Sequence, residues 1–221
     1  MHGSQDPTQD TILTYQGIAE YYATIEDDPE LRQSIRGLLG KPESDKRILE
    51  VGCGPGTDAS ILKSKGFDVT GIDLCEGFID RARMRYPEVD FQLMDLRSPD
   101  FHDNTFDGIL AMAAMVHVIP DDLQATFEHY RLLLKPGGRF VSWMCDSSQA
   151  DYYDVPDWGG ASTRSLRMWC HDRSIVSKAM QTAGFQEVRI LQVNSDYYDR
   201  MKRIQDNKVS LYVAVGLIDG S

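Results

Sequence analysis

The segment Ile48-Leu-Glu-Val-Gly-Cys-Gly-Pro-Gly-Thr57 constrains the fold of this chain more than any other. Its beginning, Ile48 to Val51, is typical of a buried strand, and Gly52, Gly54 and Gly56 predict a tight turn where backbone approaches another group closely. Open α/β sheets bind nucleotide-like ligands at such turns, because the N–H groups that start the next helix point at the ligand. The segment therefore predicts an α/β sheet with a ligand site at this turn.

The spacing of these glycines separates two kinds of nucleotide turn. The dinucleotide fingerprint, G-x-G-x-x-G, places its third glycine three residues after the second. Here the pattern is G-x-G-x-G, with Pro55 between the last two glycines. The run E-V-G-C-G-P-G-T resembles motif I of the class I S-adenosylmethionine-dependent methyltransferases of the small-molecule type.

Three later segments resemble the same family in the same order. Val69 to Asp73 is similar to the second strand, Phe91 to Leu96 to the third strand, and Leu134 to Phe140 to the L-K-P-G-G turn before the fifth strand. The resemblance covers roughly Tyr15 to Leu217. It implies a Rossmann-like, doubly wound α/β fold with a seven-stranded, mostly parallel sheet. The implied strand order is 3-2-1-4-5-7-6, in which strand seven is antiparallel near the edge.

Hydrophobic periodicity predicts strands and helices that alternate along the chain. Helices are predicted over 10–23, 29–39, 57–65, 76–85, 121–134 and 172–183. Strands are predicted over 47–51, 66–72, 90–94, 106–112, 139–144, 186–193 and 209–217. This alternation favours parallel pairing with helices on both faces of the sheet.

The whole chain, residues 1–221, is expected to form a single methyltransferase-like domain. Residues 1–9 are interpreted as a disordered tail or a remnant of cloning. Helices within 10–45 are expected to cover the site, because the resemblance places lid helices there. Residues 145–170, rich in polar and aromatic side chains without a periodic pattern, are expected to form an insertion over the substrate.

Composition and charge limit the partners of the chain. A formal net charge of −11 disfavours nucleic acid, because contacts to phosphates need clustered Lys and Arg. The longest apolar run, Ile109 to Val116, is too short to span a bilayer. Residues 1–10 are polar and lack the apolar segment of a secretion signal, so none is expected. The four scattered cysteines lack the spacing of a metal site. A cytoplasmic location, a small-molecule substrate and no metal, membrane or nucleic acid are expected, and the oligomeric state stays open.

The resemblance implies roles in cofactor binding for the residues around the glycine turn. The glycines let backbone approach the methionyl and ribose parts of S-adenosylmethionine. Glu50 occupies the family's acidic position, where it bonds turn amides or, through water, the methionine ammonium; an ordinary strand-end carboxylate is the alternative. Asp73 is expected to accept bonds from the ribose hydroxyls, or to cap the next helix with Glu76 at capping-box spacing.

Four residues at the next strand ends are assigned to the same cofactor. Leu74 is expected to pack on one face of the adenine. Asp95 accepts from the adenine amine and the N–H of Leu96 meets a ring nitrogen, unless Asp95 is a simple turn residue. Met112, at the end of strand four, completes this group.

The first helix carries the pattern Tyr15, Ile18, Ala19 and Tyr22, which resembles the opening Tyr-x-x-Ile-Ala-x-x-Tyr of the family. The two tyrosines lie seven residues apart and so share one face of the helix. Tyr15 is assigned to cofactor contact and Tyr22 to substrate contact, with core packing as the alternative for both.

The acceptor is expected beyond the ends of strands four and five. His117 follows strand four and is the candidate catalytic base, with a helix-end histidine bonded to backbone as the alternative. The residues assigned to substrate contact are Met115, Trp143, Arg167 and Trp169. Arg167 favours a carboxylate, whereas the aromatic and acidic neighbours favour a cation, so the acceptor stays open.

The resemblance implies methyl transfer to an O, N or S atom of a small molecule by in-line displacement, with S-adenosylhomocysteine as product. Family members that act on DNA amines or glutamine often carry N/D-P-P-Y/F after strand four, where this chain reads Met112-Ala-Ala-Met115. Two alternatives stay open, because a fold does not fix a function. One is a different enzyme chemistry with S-adenosylmethionine bound, and the other is a non-catalytic ligand-binding module.

Overall fold

The computed structural model of the protein describes residues 7–24, 28–156, 165–193 and 209–220. Its strands are β1 (Arg47–Val51), β2 (Asp68–Asp73), β3 (Asp90–Leu93), β4 (Phe106–Ala111), β5 (Leu134–Asp146), β6 (Tyr152–Val155), β7 (Leu166–Trp169), β8 (Glu187–Gln192) and β9 (Ser210–Leu217). Its α-helices are α1 (Pro7–Tyr22), α2 (Pro29–Gly37), α3 (Thr57–Ser64), α4 (Glu76–Arg85), α5 (Leu123–Leu133) and α6 (Arg173–Thr182). Two 3-10 turns are Met115–His117 and Pro120–Asp122.

Seven strands form one sheet in the order β3-β2-β1-β4-β5-β9-β8. Neighbours from β3 to β5 pair in parallel, whereas β9 is antiparallel to both β5 and β8. β8 and β9 correspond to the predicted strands six and seven, so the predicted order with a reversed strand near the edge is confirmed.

Two buried clusters cover the two faces of the sheet. Ile48 belongs to one cluster and its neighbours Leu49 and Val51 to the other, because successive side chains of a strand point to opposite faces. All four residues of β1 after Arg47 are buried, as expected for a central parallel strand with helices on both faces. Within the described ranges, no helix is long and apolar enough to cross a membrane.

The β6–β7 hairpin is the main element that the sequence patterns do not predict. It forms a separate two-stranded antiparallel sheet inside the predicted insertion. Its strands carry large apolar side chains on both faces, for example Met168 in the core and Tyr152 against Trp169 outside. This removes the polar–apolar alternation by which a half-buried strand is recognised. Residues 157–164 of the insertion lie outside the described residues.

Several predicted boundaries differ from the observed ones. α1 begins at Pro7 instead of Asp10, since proline is favourable in the first turn of a helix. The predicted tail 1–9 therefore overlaps this helix, and residues 1–6 lie outside the described residues. β5 begins at Leu134, because the predicted turn at Gly137 is an irregularity within the strand and the pairing register shifts there.

Candidate active site

The parallel strands bring four predicted site positions to one edge of the sheet. β1 leads into Gly52, β2 ends at Asp73, and Asp95 and Met112 follow β3 and β4 closely. The carboxyl ends of parallel strands meet at the same edge, which is where open α/β sheets bind their ligands. The residues that were assigned to the cofactor from four separate segments are thus neighbours in the fold.

The glycine turn uses its three glycines in two different ways. Gly52, Gly54 and Gly56 all adopt a positive φ, of 65°, 53° and 85°. A Cβ at Gly52 would lie 2.5 Å from the Cβ of Ala114, and one at Gly56 would lie 2.6 Å from the Phe91 ring. A Cβ at Gly54 would meet nothing within 4 Å. Gly52 and Gly56 are therefore required by packing, whereas Gly54 borders open space.

Glu50 of β1 places a buried carboxylate two residues before this turn. Its side chain is 1% exposed, and its Oε2 atom has no hydrogen-bond partner. Burial and then the negative charge of Asp58 raise the pKa of Glu50 well above its usual range, against the opposing effects of Arg32, the Ala59 N–H and Arg36. A buried polar atom without a partner is costly. The free oxygen is therefore suited to a donor supplied by a ligand.

Asp73 organises the turn through its two carboxylate oxygens. Oδ2 accepts from the backbone N–H of Gly54 at 2.9 Å, and Oδ1 accepts from that of Cys75 at 2.8 Å. Burial raises the pKa of Asp73, and these N–H bonds oppose the rise. The alternative helix cap is wrong, because Cys75 is the N-cap residue of α4 and Asp73 bonds an amide before the helix. Each carboxylate oxygen keeps a lone pair for a further donor.

The adenine-side residues occupy a more crowded corner. Asp95 is engaged by the side chain of Arg97, whose Nη2 atom lies 2.7 Å from Oδ2, and by the Arg97 backbone N–H at 2.8 Å. The carbonyl of Leu96 accepts from the Tyr130 hydroxyl at 2.7 Å. Leu74 and Leu96 are both half-buried. The adenine roles of Leu74, Asp95 and Leu96 stay predictions.

Tyr15 of α1 reaches across the fold to His117. The Tyr15 hydroxyl lies 3.0 Å from Nε2 of His117, while Nδ1 lies 3.3 Å from the backbone carbonyl of Arg167. A carbonyl only accepts, so Nδ1 carries the hydrogen and Nε2 accepts from Tyr15. Tyr22 packs edge-on against Tyr15 with ring centroids 5.5 Å apart, and both rings contact Phe78. The first helix is thus attached to the acceptor side of the site.

His117 is neutral at physiological pH. Burial lowers the pKa of His117 to about 4, and the bond to the Arg167 carbonyl opposes that change. A neutral imidazole with its Nε2 lone pair directed at a hydroxyl can accept a proton. Nδ1 makes the bond to backbone that the alternative interpretation expects, so the same ring fits both the catalytic and the structural interpretation of His117.

The residues assigned to the substrate do not share one surface. Trp143 lies with Met112 in the buried cluster on one face of the sheet. Met115 is fully buried in the cluster on the other face, with its sulfur 3.9 Å from the Tyr130 hydroxyl. The structure therefore places Met115 in the core and not at a substrate surface. The 3-10 turn explains the difference, because it directs the Met115 side chain away from that of His117.

Arg167 is committed to partners within its own hairpin. Its guanidinium forms two bonds of 2.7 Å to Asp154 and lies 3.8 Å from the centre of the Tyr152 ring. Arg167 and Trp169 alternate with the buried Leu166 and Met168, so they project from the opposite face of β7. In this arrangement Arg167 does not offer a free guanidinium to a substrate carboxylate.

A buried charge cluster behind the glycine turn was missed by sequence reasoning. Arg32 and Arg36 of α2 each bond one carboxylate oxygen of Asp58, which lies in the first turn of α3. Asp58 is 1% and Arg36 is 6% exposed. The available signal was the spacing of the two arginines, which places them on one helix face. The cluster connects α2 to the first turn of α3, directly after the glycine turn.

Comparisons with known proteins agree with this architecture. Residues 48–138 match a family model described as a methyltransferase domain. The chain is 28% identical over 173 residues to phosphoethanolamine N-methyltransferase 1 of Triticum aestivum, a match that covers 76% of this chain and 33% of the relative. The chain spans about a third of the length of the first curated relatives that it matches.

Two solved structures share the fold over nearly the whole chain. Phosphoethanolamine N-methyltransferase 2 of Haemonchus contortus, in complex with phosphomonomethylethanolamine and S-adenosylhomocysteine, matches with a TM-score of 0.71 and 16% identity over 97% of this chain and 59% of that one. The [4+2]-cyclase SpnF matches with a TM-score of 0.73 and 15% identity over 98% of each chain. The strand order, the glycine turn and the match of residues 48–138 agree: this part of the chain is similar to a methyltransferase domain, and the chain shares its fold with solved structures of such enzymes.

Proposed function

We propose that this chain binds S-adenosylmethionine at the glycine turn and transfers its methyl group to an O, N or S atom of a small molecule by in-line displacement. The observation that carries the proposal is the open space at Gly54, bordered by the Asp73 carboxylate that bonds its amide. Gly54 presents bare backbone to this space, as is needed where a ligand passes close to the chain.

The residues of the turn fit the chemical groups of this cofactor. The unpartnered Oε2 of Glu50 is suited to an ammonium donor, directly or through water. The remaining lone pairs of Asp73 are suited to the two hydroxyls of a ribose. Tyr15 packs against both His117 and Phe78 and adds aromatic surface next to the turn of His117. These groups match an amino acid joined to a nucleoside, and they include no cation that would neutralise a pyrophosphate.

His117 is proposed as the base that removes the acceptor proton. When bound, S-adenosylmethionine supplies the electrophilic methyl group. An acceptor O–H, N–H or S–H becomes strongly acidic as its new bond to carbon forms, so even an imidazole with a low pKa can take the proton. Nε2 of His117 holds the required lone pair. The Tyr15 hydroxyl, 3.0 Å from that nitrogen, shows where a hydroxyl that donates to Nε2 lies. Alignment is expected to contribute more than the base, since positioning supplies about 7–11 kcal/mol in the best cases.

Binding of the cofactor is expected to stabilise the fold. S-adenosylmethionine and S-adenosylhomocysteine at about 100 times their Kd add about 2.7 kcal/mol, which raises the Tm by about 5–10 °C in a chain of this size. NAD serves as the control, because the turn lacks the dinucleotide spacing. Differential scanning fluorimetry measures the change. An unchanged Tm with both sulfur ligands at millimolar concentration would refute the assignment.

Gly54→Ala and Gly56→Ala are expected to separate binding from folding. At Gly54 the added methyl group meets no atom, so only the left-handed backbone is penalised, by about 1–2 kcal/mol. At Gly56 the overlap with Phe91 adds about 1–3 kcal/mol to that penalty. Chemical denaturation measures both losses. Calorimetry with S-adenosylhomocysteine should show a loss of affinity for Gly54→Ala that exceeds its loss of stability; equal losses would place the ligand elsewhere.

A second candidate function is supported by one specific observation. The [4+2]-cyclase SpnF aligns with 98% of this chain, although its name describes no methyl transfer. An enzyme of different chemistry that keeps S-adenosylmethionine bound is therefore the competing proposal. Isotope-labelled methyl transfer into pools of small amines, phenols, thiols and carboxylates separates the two. Label in any pool supports methyl transfer, and cofactor binding without label in a broad panel supports the alternative.

The remaining proposals concern where and with what the chain acts. The net charge of −11 supports a small molecule over nucleic acid as partner. The phosphoethanolamine N-methyltransferases among the relatives are named for an amine acceptor, which supports including amines in the first panel. The cytoplasmic location stays a proposal on the sequence alone.

A further inference from the structure

Two histidines hold two separate segments together by reciprocal bonds. His117, in the turn after β4, directs Nδ1 at the carbonyl of Arg167 on β7, at 3.3 Å. His171, two residues after β7, directs Nε2 at the carbonyl of Met115 in that same turn, at 3.1 Å. Each segment thus supplies one imidazole and one carbonyl, and both imidazoles must act as donors because carbonyls only accept. We name this arrangement the histidine clasp.

The two histidines have different surroundings. His171 is 3% exposed, and its backbone is bonded to the main sheet on both sides. Its N–H donates to the carbonyl of Cys145 on β5, and its carbonyl accepts from the Tyr212 hydroxyl on β9, each at 2.8 Å. His117 lies in a short 3-10 turn outside any strand. His171 is therefore the fixed half of the clasp, and the turn with His117 is the half that is held.

The clasp determines which nitrogen of His117 is available. The Arg167 carbonyl keeps the hydrogen on Nδ1, which leaves the Nε2 lone pair towards Tyr15. That geometry requires the turn and the end of β7 to keep their spacing, and the bond from His171 to Met115 spans the same gap. Orientation of a reactive imidazole by a hydrogen bond to its other nitrogen is a general requirement of histidine chemistry.

We propose that His171 is a positioning residue for His117, which fixes the tautomer and direction of that ring by holding the Met115–His117 turn against β7. The importance of this role for turnover rests on the proposed function of His117. The positioning itself is a property of the protein without any ligand. Its failure can therefore be distinguished from failure of the proposed function.

The test compares His171→Leu with His171→Gln in the full chain. Leucine removes the donor, whereas the glutamine amide places an N–H close to the position of Nε2. Imidazole nitrogen NMR of the ligand-free protein reports the tautomer and the pKa of His117. We expect the wild type and His171→Gln to keep hydrogen on Nδ1 with a pKa near 4. In His171→Leu we expect mixed tautomers and a pKa that rises towards 6.5.

His129→Leu is the matched control. His129, on α5, also bonds a backbone carbonyl, that of Pro99 at 2.7 Å. This bond involves neither the Met115–His117 turn nor β7. This variant should leave the His117 signals unchanged. If His171→Leu does not fold, His171→Asn replaces it, because the shorter amide withdraws the donor from Met115. An unchanged His117 tautomer and pKa in the donor-free variant, or loss of both in His171→Gln, would overturn the proposal.

Discussion

His117→Gln is expected to lower kcat about 100-fold, the lower end of what a positioned base contributes. Glutamine keeps a polar side chain of similar reach but has no basic nitrogen. The basic nitrogen that this substitution removes is Nε2 of the imidazole, which lies 3.0 Å from the Tyr15 hydroxyl. The effect should fall on kcat with little change in the affinity for S-adenosylhomocysteine. Steady-state kinetics with the first acceptor from the labelling screen measures it.

The pH dependence of this reaction has a definite sign. Burial lowers the pKa of His117 to about 4, so the imidazole is neutral and able to accept a proton at all pH values well above that. Activity of the wild type should therefore be lost only as the pH falls towards 4, and this acid limb should be absent in His117→Gln. A histidine without such burial would lose activity near pH 6.5.

The same low pKa affects stability. The unfolded chain binds a proton at His117 below about pH 6.5, whereas the folded chain binds it only near pH 4. Between these values the unfolded state holds more protons, so the free energy of unfolding decreases as the pH falls. His117→Gln should remove this part of the acid sensitivity. Tyr15→Phe keeps the ring and loses the hydroxyl, and it serves as the comparison variant with the smaller expected change in acid sensitivity.

For catalysis, a kcat of His117→Gln within threefold of the wild-type value would mean that a group other than His117 removes the acceptor proton.

The part of the site built on local patterns could be predicted from the sequence. The glycine turn, Asp73 and Asp95 each follow a strand whose apolar run is easily recognised, and parallel pairing brings such strand ends together. The left-handed φ values at the turn agree with the glycines there. These features depend on a few neighbouring residues each, which is why single segments of sequence were sufficient.

The part built on contacts between distant segments could not be predicted. The bond between Tyr15 and His117 joins residues 102 positions apart, and that between His171 and Met115 joins residues 56 apart. The sequence favoured a substrate carboxylate as the partner of Arg167. The observed partner is Asp154, and this pairing depends on the register of a hairpin that the sequence pattern did not indicate. Side-chain direction within the 3-10 turn similarly decides that His117 faces Tyr15 and that Met115 is in the core.

Asp73→Ala is expected to weaken binding of S-adenosylmethionine and S-adenosylhomocysteine by more than tenfold. A hydrogen bond to a charged group contributes about 1.5–3 kcal/mol, and about 1.4 kcal/mol already corresponds to tenfold. The substitution also removes the bonds to the N–H groups of Gly54 and Cys75, so the turn itself loses support. Calorimetric titration with S-adenosylhomocysteine measures the affinity, and thermal unfolding without ligand measures the separate effect on the fold.

Asp73→Asn and Asp68→Ala distinguish the reasons for that loss. Asparagine keeps one oxygen for the turn amides but lacks the charge, so it should preserve more of the Tm than alanine while still lowering the affinity. Asp68 begins the same strand, and its carboxylate is 54% exposed beside Lys63 and Arg47. Exposed ion pairs contribute little, so Asp68→Ala should change neither quantity appreciably. If both Asp73 variants keep the wild-type affinity, the ribose is not bound at the end of β2, and the Asp73 carboxylate serves only to hold the glycine turn in shape.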